Sequence, residues 1–91
     1  MVEQQQLTIE SSIFPNPSDG LVLLQTEQNL PPDSHFKVYD QAGRLVFEKE
    51  LQSGLDKQNI EMYDLQTGMY FYEVLLSDFV IGNGKLVISK R

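Results

Sequence analysis

The 91-residue chain contains no cysteine, no tryptophan and a single histidine. Without cysteine it can form neither a disulfide nor a thiolate metal site, so packing alone must hold the fold together. No apolar run approaches the roughly 18 residues of a membrane helix, so no direct membrane insertion is expected. The opening residues MVEQQQ also lack the basic start and the apolar stretch of a secretory signal peptide. These absences predict a soluble domain.

Basic residues are also scarce, because seven of them stand against thirteen acidic residues and give a net charge of −6. A chain of this charge repels phosphate backbones and anionic lipid, which argues against nucleic acid as a partner. A hydrophobic content of 41% with 22% charged residues favours a modest core over disorder. The length of the chain allows one domain.

Turn-forming residues interrupt the chain at short intervals, which leaves room for strands and not for helices. Between the turns, apolar residues recur at every second position, as in Tyr70, Tyr72 and Val74. Residues 82–84, Gly-Asn-Gly, are expected to form a bulge or a turn that breaks the last strand. The pattern predicts an all-β antiparallel sandwich with strands near 7–13, 20–27, 35–40, 44–51, 58–63, 69–76 and 79–89.

Specific turn chemistry marks the connections. The segment from Asp40 to Gly43 predicts a tight hairpin, in which Asp40 accepts backbone N–H bonds and Gly43 takes a positive φ. Ser77-Asp78 predicts a second hairpin. Pro31-Pro32 cannot donate ladder hydrogen bonds, so it marks a Greek-key crossing between the sheets or an edge. Gly68 is also expected to have a positive φ, so valine at either glycine would cost about 1 kcal/mol or more.

No set of residues predicts an active site. His35 has no second His or Cys with which to complete a zinc site, and we interpret it as a surface strand residue. Capping of backbone N–H groups explains the carboxylates at turns, which are Asp40, Asp64 and Asp78. The spacing expected of a calcium loop is absent from Asp19, Asp33 and Asp56. We therefore expect no catalytic residue, no cofactor and no metal site.

The four tyrosines leave two interpretations open. Flat amphipathic rings could form a sugar-stacking platform, which would indicate a stand-alone carbohydrate-binding or adhesive module. Tyrosine is also a favoured strand residue that fills cores. The absence of tryptophan, the strongest stacking residue, favours core filling for Tyr39, Tyr63, Tyr70 and Tyr72.

The C-terminal end reverses the charge of the chain, because three of the seven basic residues lie in its last seven positions. A terminal apolar strand flanked by cations could be an edge whose unpaired N–H and C=O groups, with the neighbouring lysines, form a docking address. Lysines at an edge also deter aggregation, which would explain them without any partner. Composition does not separate these two interpretations.

Four segments, taken in order, resemble one protein family. They are Phe14-Pro15-Asn16-Pro17 followed by Asp19-Gly20, Val38-Tyr39-Asp40 with Gly43-Arg44-Leu45-Val46, Asp64 to Phe71, and Lys85 to Ile88. Their order resembles the type A C-terminal sorting domain of the Bacteroidetes type IX, or Por, secretion system, over residues 13 to 90. The resemblance implies an immunoglobulin-like sandwich of seven strands with no active site. Its family-motif turn residues here are Pro15, Asn16, Pro17, Gly20, Asp40, Gly43, Asp64, Gly68 and Tyr70.

The resemblance also implies a role and partners. Such a domain sits at the end of a larger exported protein and directs it across the outer membrane. An outer-membrane translocon and a shuttle protein recognise it, and a sortase-like cysteine peptidase commonly removes it. The cargo passes through the periplasm and then reaches the cell surface or the exterior of a Gram-negative cell.

Carried over to this chain, residues 1–12 are a linker remnant and the entry to the first strand, and residues 13–91 are the sorting domain. The cut would lie in or before the segment ahead of Ile13. We expect a monomer or a weak edge-mediated dimer. The strongest part of the sorting signal would be Gly84, Lys85, Leu86, Val87, Ile88, Ser89 and Lys90.

Overall fold

The computed structural model describes residues 9–90, which form seven β-strands and no helix. The strands are β1 (Ser11–Phe14), β2 (Leu21–Thr26), β3 (Ser34–Tyr39), β4 (Leu45–Glu50), β5 (Lys57–Glu61), β6 (Gly68–Leu76) and β7 (Phe79–Ile88). They form a three-stranded sheet, β1-β2-β5, and a four-stranded sheet, β4-β3-β6-β7, in which neighbouring strands are antiparallel. The predicted all-β, immunoglobulin-like sandwich is confirmed.

The last strand differs from its prediction. β7 is continuous through residues 82–84, because Gly82 pairs with Val74 and Gly84 pairs with Tyr72. The irregularity lies one residue earlier, where Val80 pairs with Leu75 and Ile81 is left as the extra residue of a bulge. The expected break is therefore wrong. Of the first predicted strand, residues 7 and 8 lie outside the described residues.

The core lies between the two sheets and follows the predicted alternation. Phe36 of β3 is fully buried at its centre, where its ring stacks on Tyr72 at a centroid distance of 5.5 Å and meets Phe47 edge-on at 6.4 Å. Tyr70 and Tyr72 are buried, whereas Tyr63 is exposed. Core filling is thus confirmed for two of the four tyrosines.

The turns confirm one of the two glycine predictions. In the β3–β4 hairpin Asp40 Oδ1 accepts the N–H groups of Ala42 and Arg44, each at 2.9 Å, and Gly43 has a φ of 84°. Gly68 has no positive φ, because it is the first residue of β6 and pairs with Ile88. The prediction for Gly68 is therefore wrong.

The other connections agree with their predictions. Pro31 and Pro32 lie in the crossing from β2 in one sheet to β3 in the other, which decides between the two alternatives for this pair. Ser77 and Asp78 join β6 to β7 as a two-residue hairpin, in which Ser77 has a φ of 53°.

Candidate functional site

The terminal strand β7 lies at the edge of the four-stranded sheet, and its two faces have different surroundings. On the inner face Leu86 and Ile88 are fully buried in the core. On the outer face Lys85 is exposed and Val87 is half-buried. The sorting-signal candidates therefore divide into side chains that hold the fold together and side chains that another molecule can contact.

The outer edge of β7 is occupied by a segment of the same chain. Asn16 donates a hydrogen bond from Nδ2 to the Lys85 carbonyl and accepts one at Oδ1 from the Val87 N–H, both at 2.9 Å. Ser18 donates its backbone N–H to the Val87 carbonyl at 2.9 Å, and its backbone carbonyl accepts the Ser89 N–H at 2.8 Å. We call residues 16–18 and these four bonds the Asn16 clamp. The clamp replaces a neighbouring strand over 85–89.

The Asn16 clamp corrects the expectation of free backbone groups along the terminal strand. β7 is an edge strand, but from the Lys85 carbonyl to the Ser89 N–H its edge already has partners. Further along, the Ile81 carbonyl accepts the N–H of Ile9 at 2.8 Å. A docking partner therefore cannot add a strand along 85–89 unless it displaces the clamp.

Local structure before β2 holds the Asn16 clamp in place. The buried Ser18 donates its hydroxyl to the Leu21 carbonyl at 2.8 Å and accepts the Gly20 N–H at 2.9 Å. Gly20 has a φ of 128°, and its carbonyl accepts the Met62 N–H at 2.7 Å. A side chain at Gly20 would be strained and would meet the Tyr63 ring at 3.0 Å. These contacts explain why glycine stands here.

The turn between β5 and β6 holds the end of the chain from the other side. Lys90 donates its N–H to Thr67 Oγ1 at 3.0 Å and its ammonium group to the Tyr63 carbonyl. Tyr70 lies in β6 and not in a turn, but its hydroxyl donates to the Gln66 carbonyl at 2.7 Å. This contact resembles the tyrosine corner of immunoglobulin-like sandwiches, in which a tyrosine near a strand start fixes the preceding turn.

Segments that are far apart in the sequence therefore meet at the terminal strand. Residues 16–18 contact its outer edge, and the turn at residues 63–67 contacts its end. Of the family-motif residues, Pro15, Asn16, Pro17 and Gly20 lie between β1 and β2, Asp40 and Gly43 lie in the β3–β4 hairpin, Asp64 lies between β5 and β6, and Gly68 and Tyr70 lie in β6. Asn16, Asp40 and Tyr70 act through their side chains.

Three ionisable side chains have pKa values that their local surroundings shift. His35 Nε2 lies 2.9 Å from Asp33 Oδ1, and this hydrogen bond is the main reason that the pKa of Asp33 is lowered. Likewise, the backbone N–H of Arg44 is the main cause of the lowered pKa of Asp40. Burial raises the pKa of Tyr39, and its hydrogen bond with the Glu73 carboxylate adds to this. Each of these three pKa shifts therefore has a local structural cause.

Metal-ligating side chains do not gather in the described structure. Among residues 9–90, no group of three or more His, Asp or Glu side chains is placed to hold a metal ion. Asp19 instead accepts the Leu21 N–H at 3.4 Å. The same residues contain no helix long and apolar enough to span a membrane.

The chain was compared with curated proteins and with solved structures. None of the curated proteins compared with the chain matches it. The crystal structure of CopC from Methylosinus trichosporium OB3b aligns with a TM-score of 0.57 and 22% identity, over 90% of this chain and 96% of that chain. This likeness shows a shared sandwich fold.

The family "Secretion system C-terminal sorting domain" matches residues 12–89, which is most of the chain. Domains of this family are signals of type IX secretion, interact with its machinery and belong to secreted proteins that go to the cell surface or outside the cell. The chain therefore belongs to the family of type IX secretion system C-terminal sorting domains.

Proposed function

We propose that residues 13–91 are a folded, non-catalytic export signal that acts at the end of a larger cargo protein, with residues 1–12 as the linker remnant and the entry to the first strand. The observation that carries this proposal is that three of the four family segments meet at β7, where the Asn16 clamp and the 63–67 turn hold the strand. A catalytic domain would bring ionisable groups together, whereas here the Asn16 clamp and the 63–67 turn fix one strand.

The proposal includes the partners that the family implies. An outer-membrane translocon and a shuttle protein recognise the folded domain after the cargo has crossed the periplasm. A sortase-like cysteine peptidase then cuts in or before the segment ahead of Ile13. Extended, accessible backbone suits a peptidase better than a paired strand does, because the chain must enter the active site unpaired. Pairing with β2 already begins at Ser11, opposite Thr26, so within the segment ahead of Ile13 the cut is placed before Ser11.

A reporter fusion tests the export function. A fluorescent protein with an inner-membrane signal peptide is joined to residues 1–91 and produced in a bacterium that has type IX secretion. We expect the reporter at the cell surface or in the medium, because the domain supplies the signal for the second membrane. Protease treatment of intact cells measures the surface fraction. The matched controls are the reporter without the domain and the fusion in a strain without a functional translocon.

The outcomes of this experiment separate the parts of the proposal. A reporter that stays in the periplasm of the secretion-competent strain contradicts the export function. Mass spectrometry of exported reporter locates the cut. A reporter that is exported with all 91 residues still attached contradicts removal by a peptidase and leaves the export function standing.

A further inference from the structure

The outer face of the four-stranded sheet carries a row of side chains that crosses all four strands. Register places Leu45 of β4 beside Tyr39 of β3, Tyr39 beside Phe71 of β6, and Phe71 beside Lys85 of β7. Leu45 is 48% exposed and Phe71 is 45% exposed. The core lies on the opposite face of this sheet, so nothing in residues 9–90 covers the row.

A second pair extends this surface toward the end of the chain. Met69 of β6 lies beside Val87 of β7, and both point away from the core because their neighbours Tyr70 and Leu86 are buried. We call Tyr39, Leu45, Met69, Phe71 and Val87 the outer apolar face. Contiguous apolar residues of this kind on a small domain mark interaction sites more often than isolated exposed residues do.

Polar residues border the outer apolar face on one side. A groove of about 370 Å³ is lined by residues that include Tyr39 and Phe71 of this face and the polar side chains of Glu73, Asn83 and Lys85. Lys85 forms no ion pair with any acidic residue among positions 9–90, whereas Lys37 lies 3.8 Å from Glu48. An exposed cation without a partner beside an aromatic ring matches a carboxylate on another molecule.

The sheet edges are less suited to docking than this face. The Asn16 clamp occupies the edge of β7 along 85–89. At the opposite edge, β4 ends in Glu48, Lys49 and Glu50, and charged residues of this kind discourage strand addition. The side chains of the outer apolar face are an accessible apolar surface on the sheet that includes the terminal strand.

We propose that the outer apolar face is the surface on which a protein of the secretion machinery docks, and that this protein presents an apolar centre with a carboxylate facing Lys85. This proposal rests on the proposed export function and names the surface that carries it. Phe71 is the central anchor, because a large aromatic side chain in the middle of a patch contributes more binding energy than its rim does. Lys85 orients the partner.

Two substitutions with matched controls test the docking surface in the reporter fusion. We expect Phe71→Ser and Lys85→Glu each to lower the surface fraction of the reporter by about tenfold or more, as for central interface residues. The control for the first is Phe79→Ser, since Phe79 is 74% exposed but lies at the β6–β7 hairpin. The control for the second is Lys57→Glu on β5 of the other sheet. Both controls are expected to stay within about twofold of wild type.

The melting temperature of each purified domain separates docking from folding. We expect all four variants to melt close to wild type, because the substituted side chains lie outside the core. Export of Phe71→Ser and Lys85→Glu at the wild-type level overturns the proposal while leaving the export function intact. A wild-type fusion that is not exported overturns the export function itself.

Other occupants of the outer apolar face would give different results. A wild-type domain that sediments as a dimer, and becomes a monomer with Phe71→Ser while export is unchanged, would assign the face to a second copy. Saturable binding of a glycan that Phe71→Ser removes without a change in export would assign it to a sugar. Either result overturns the proposal.

Discussion

Replacing Leu86 with alanine is expected to lower the free energy of unfolding by about 2–5 kcal/mol. Leu86 lies on the inner face of β7, is 0% exposed and belongs to the core between the two sheets. Truncation removes buried methyl groups and leaves a cavity that the sandwich cannot fully close. Urea denaturation of the purified domain measures the change.

The next residue along the strand provides the control. Val87 lies on the outer face of β7 and is half-buried, so Val87→Ala is expected to cost less than about 1 kcal/mol. Equal urea midpoints for the two variants would contradict the assignment of inner and outer faces. The pair also shows how to interpret deletions of the terminal residues, because loss of the buried Leu86 and Ile88 is expected to destabilise the domain whether or not a partner recognises this strand.

Replacing Gly84 with alanine is expected to destabilise the domain by about 1–3 kcal/mol, although alanine usually suits a strand better than glycine. A Cβ atom at Gly84 would lie 2.7 Å from Cε2 of Tyr72. Tyr72 is 4% exposed and stacks on Phe36, so its ring cannot turn away without disturbing the core. Thermal unfolding followed by circular dichroism measures the loss.

Two further variants make this prediction specific. Gly68→Ala is the matched control, because a Cβ there would lie 3.7 Å from the nearest atom, in the ring of Tyr70, which is an ordinary contact. In the double variant Gly84→Ala with Tyr72→Leu, the smaller side chain makes room for the new methyl group. The double variant should therefore lose less stability than the sum of the two single variants. Strict additivity would contradict the steric explanation.

The strands could be predicted from the sequence because the alternation of apolar residues is local. Phe36 and Val38, for example, share the buried face of β3 as their spacing indicates. Gly43 could be predicted for the same reason, since a tight hairpin after Asp40 requires a positive φ. The prediction of a positive φ at Gly68 was wrong, because a glycine next to a turn in sequence need not be part of the turn. There, pairing with Ile88 extends the strand by one residue.

The Asn16 clamp could not be predicted from local pattern, because Asn16 and Lys85 are 69 positions apart. A proline-rich segment indicates a turn, and the sequence alone does not show that its asparagine side chain imitates a strand. One signal is present in hindsight. Pro15 and Pro17 have no N–H to donate, so among positions 15–17 the donor for a neighbouring strand has to come from Asn16.

The outer apolar face was missed for a related reason. The residues that form it alternate with core residues, so in sequence they are parts of continuous apolar runs such as Met69-Tyr70-Phe71-Tyr72. Such a run indicates burial on both faces of a strand. In the structure the second face of β6 has no covering layer among residues 9–90, and Phe71 is exposed there.

Amide hydrogen exchange of the purified domain tests most directly whether the edge of the terminal strand is held by its own chain. We expect the Val87 amide to be protected in the wild type, and to exchange about tenfold faster in Asn16→Ala, because that variant removes its acceptor. The Leu86 amide, in a residue that pairs with Tyr70 of β6, should keep its rate. A Val87 amide that exchanges in the wild type as fast as an unprotected amide would show an open edge and contradict this account.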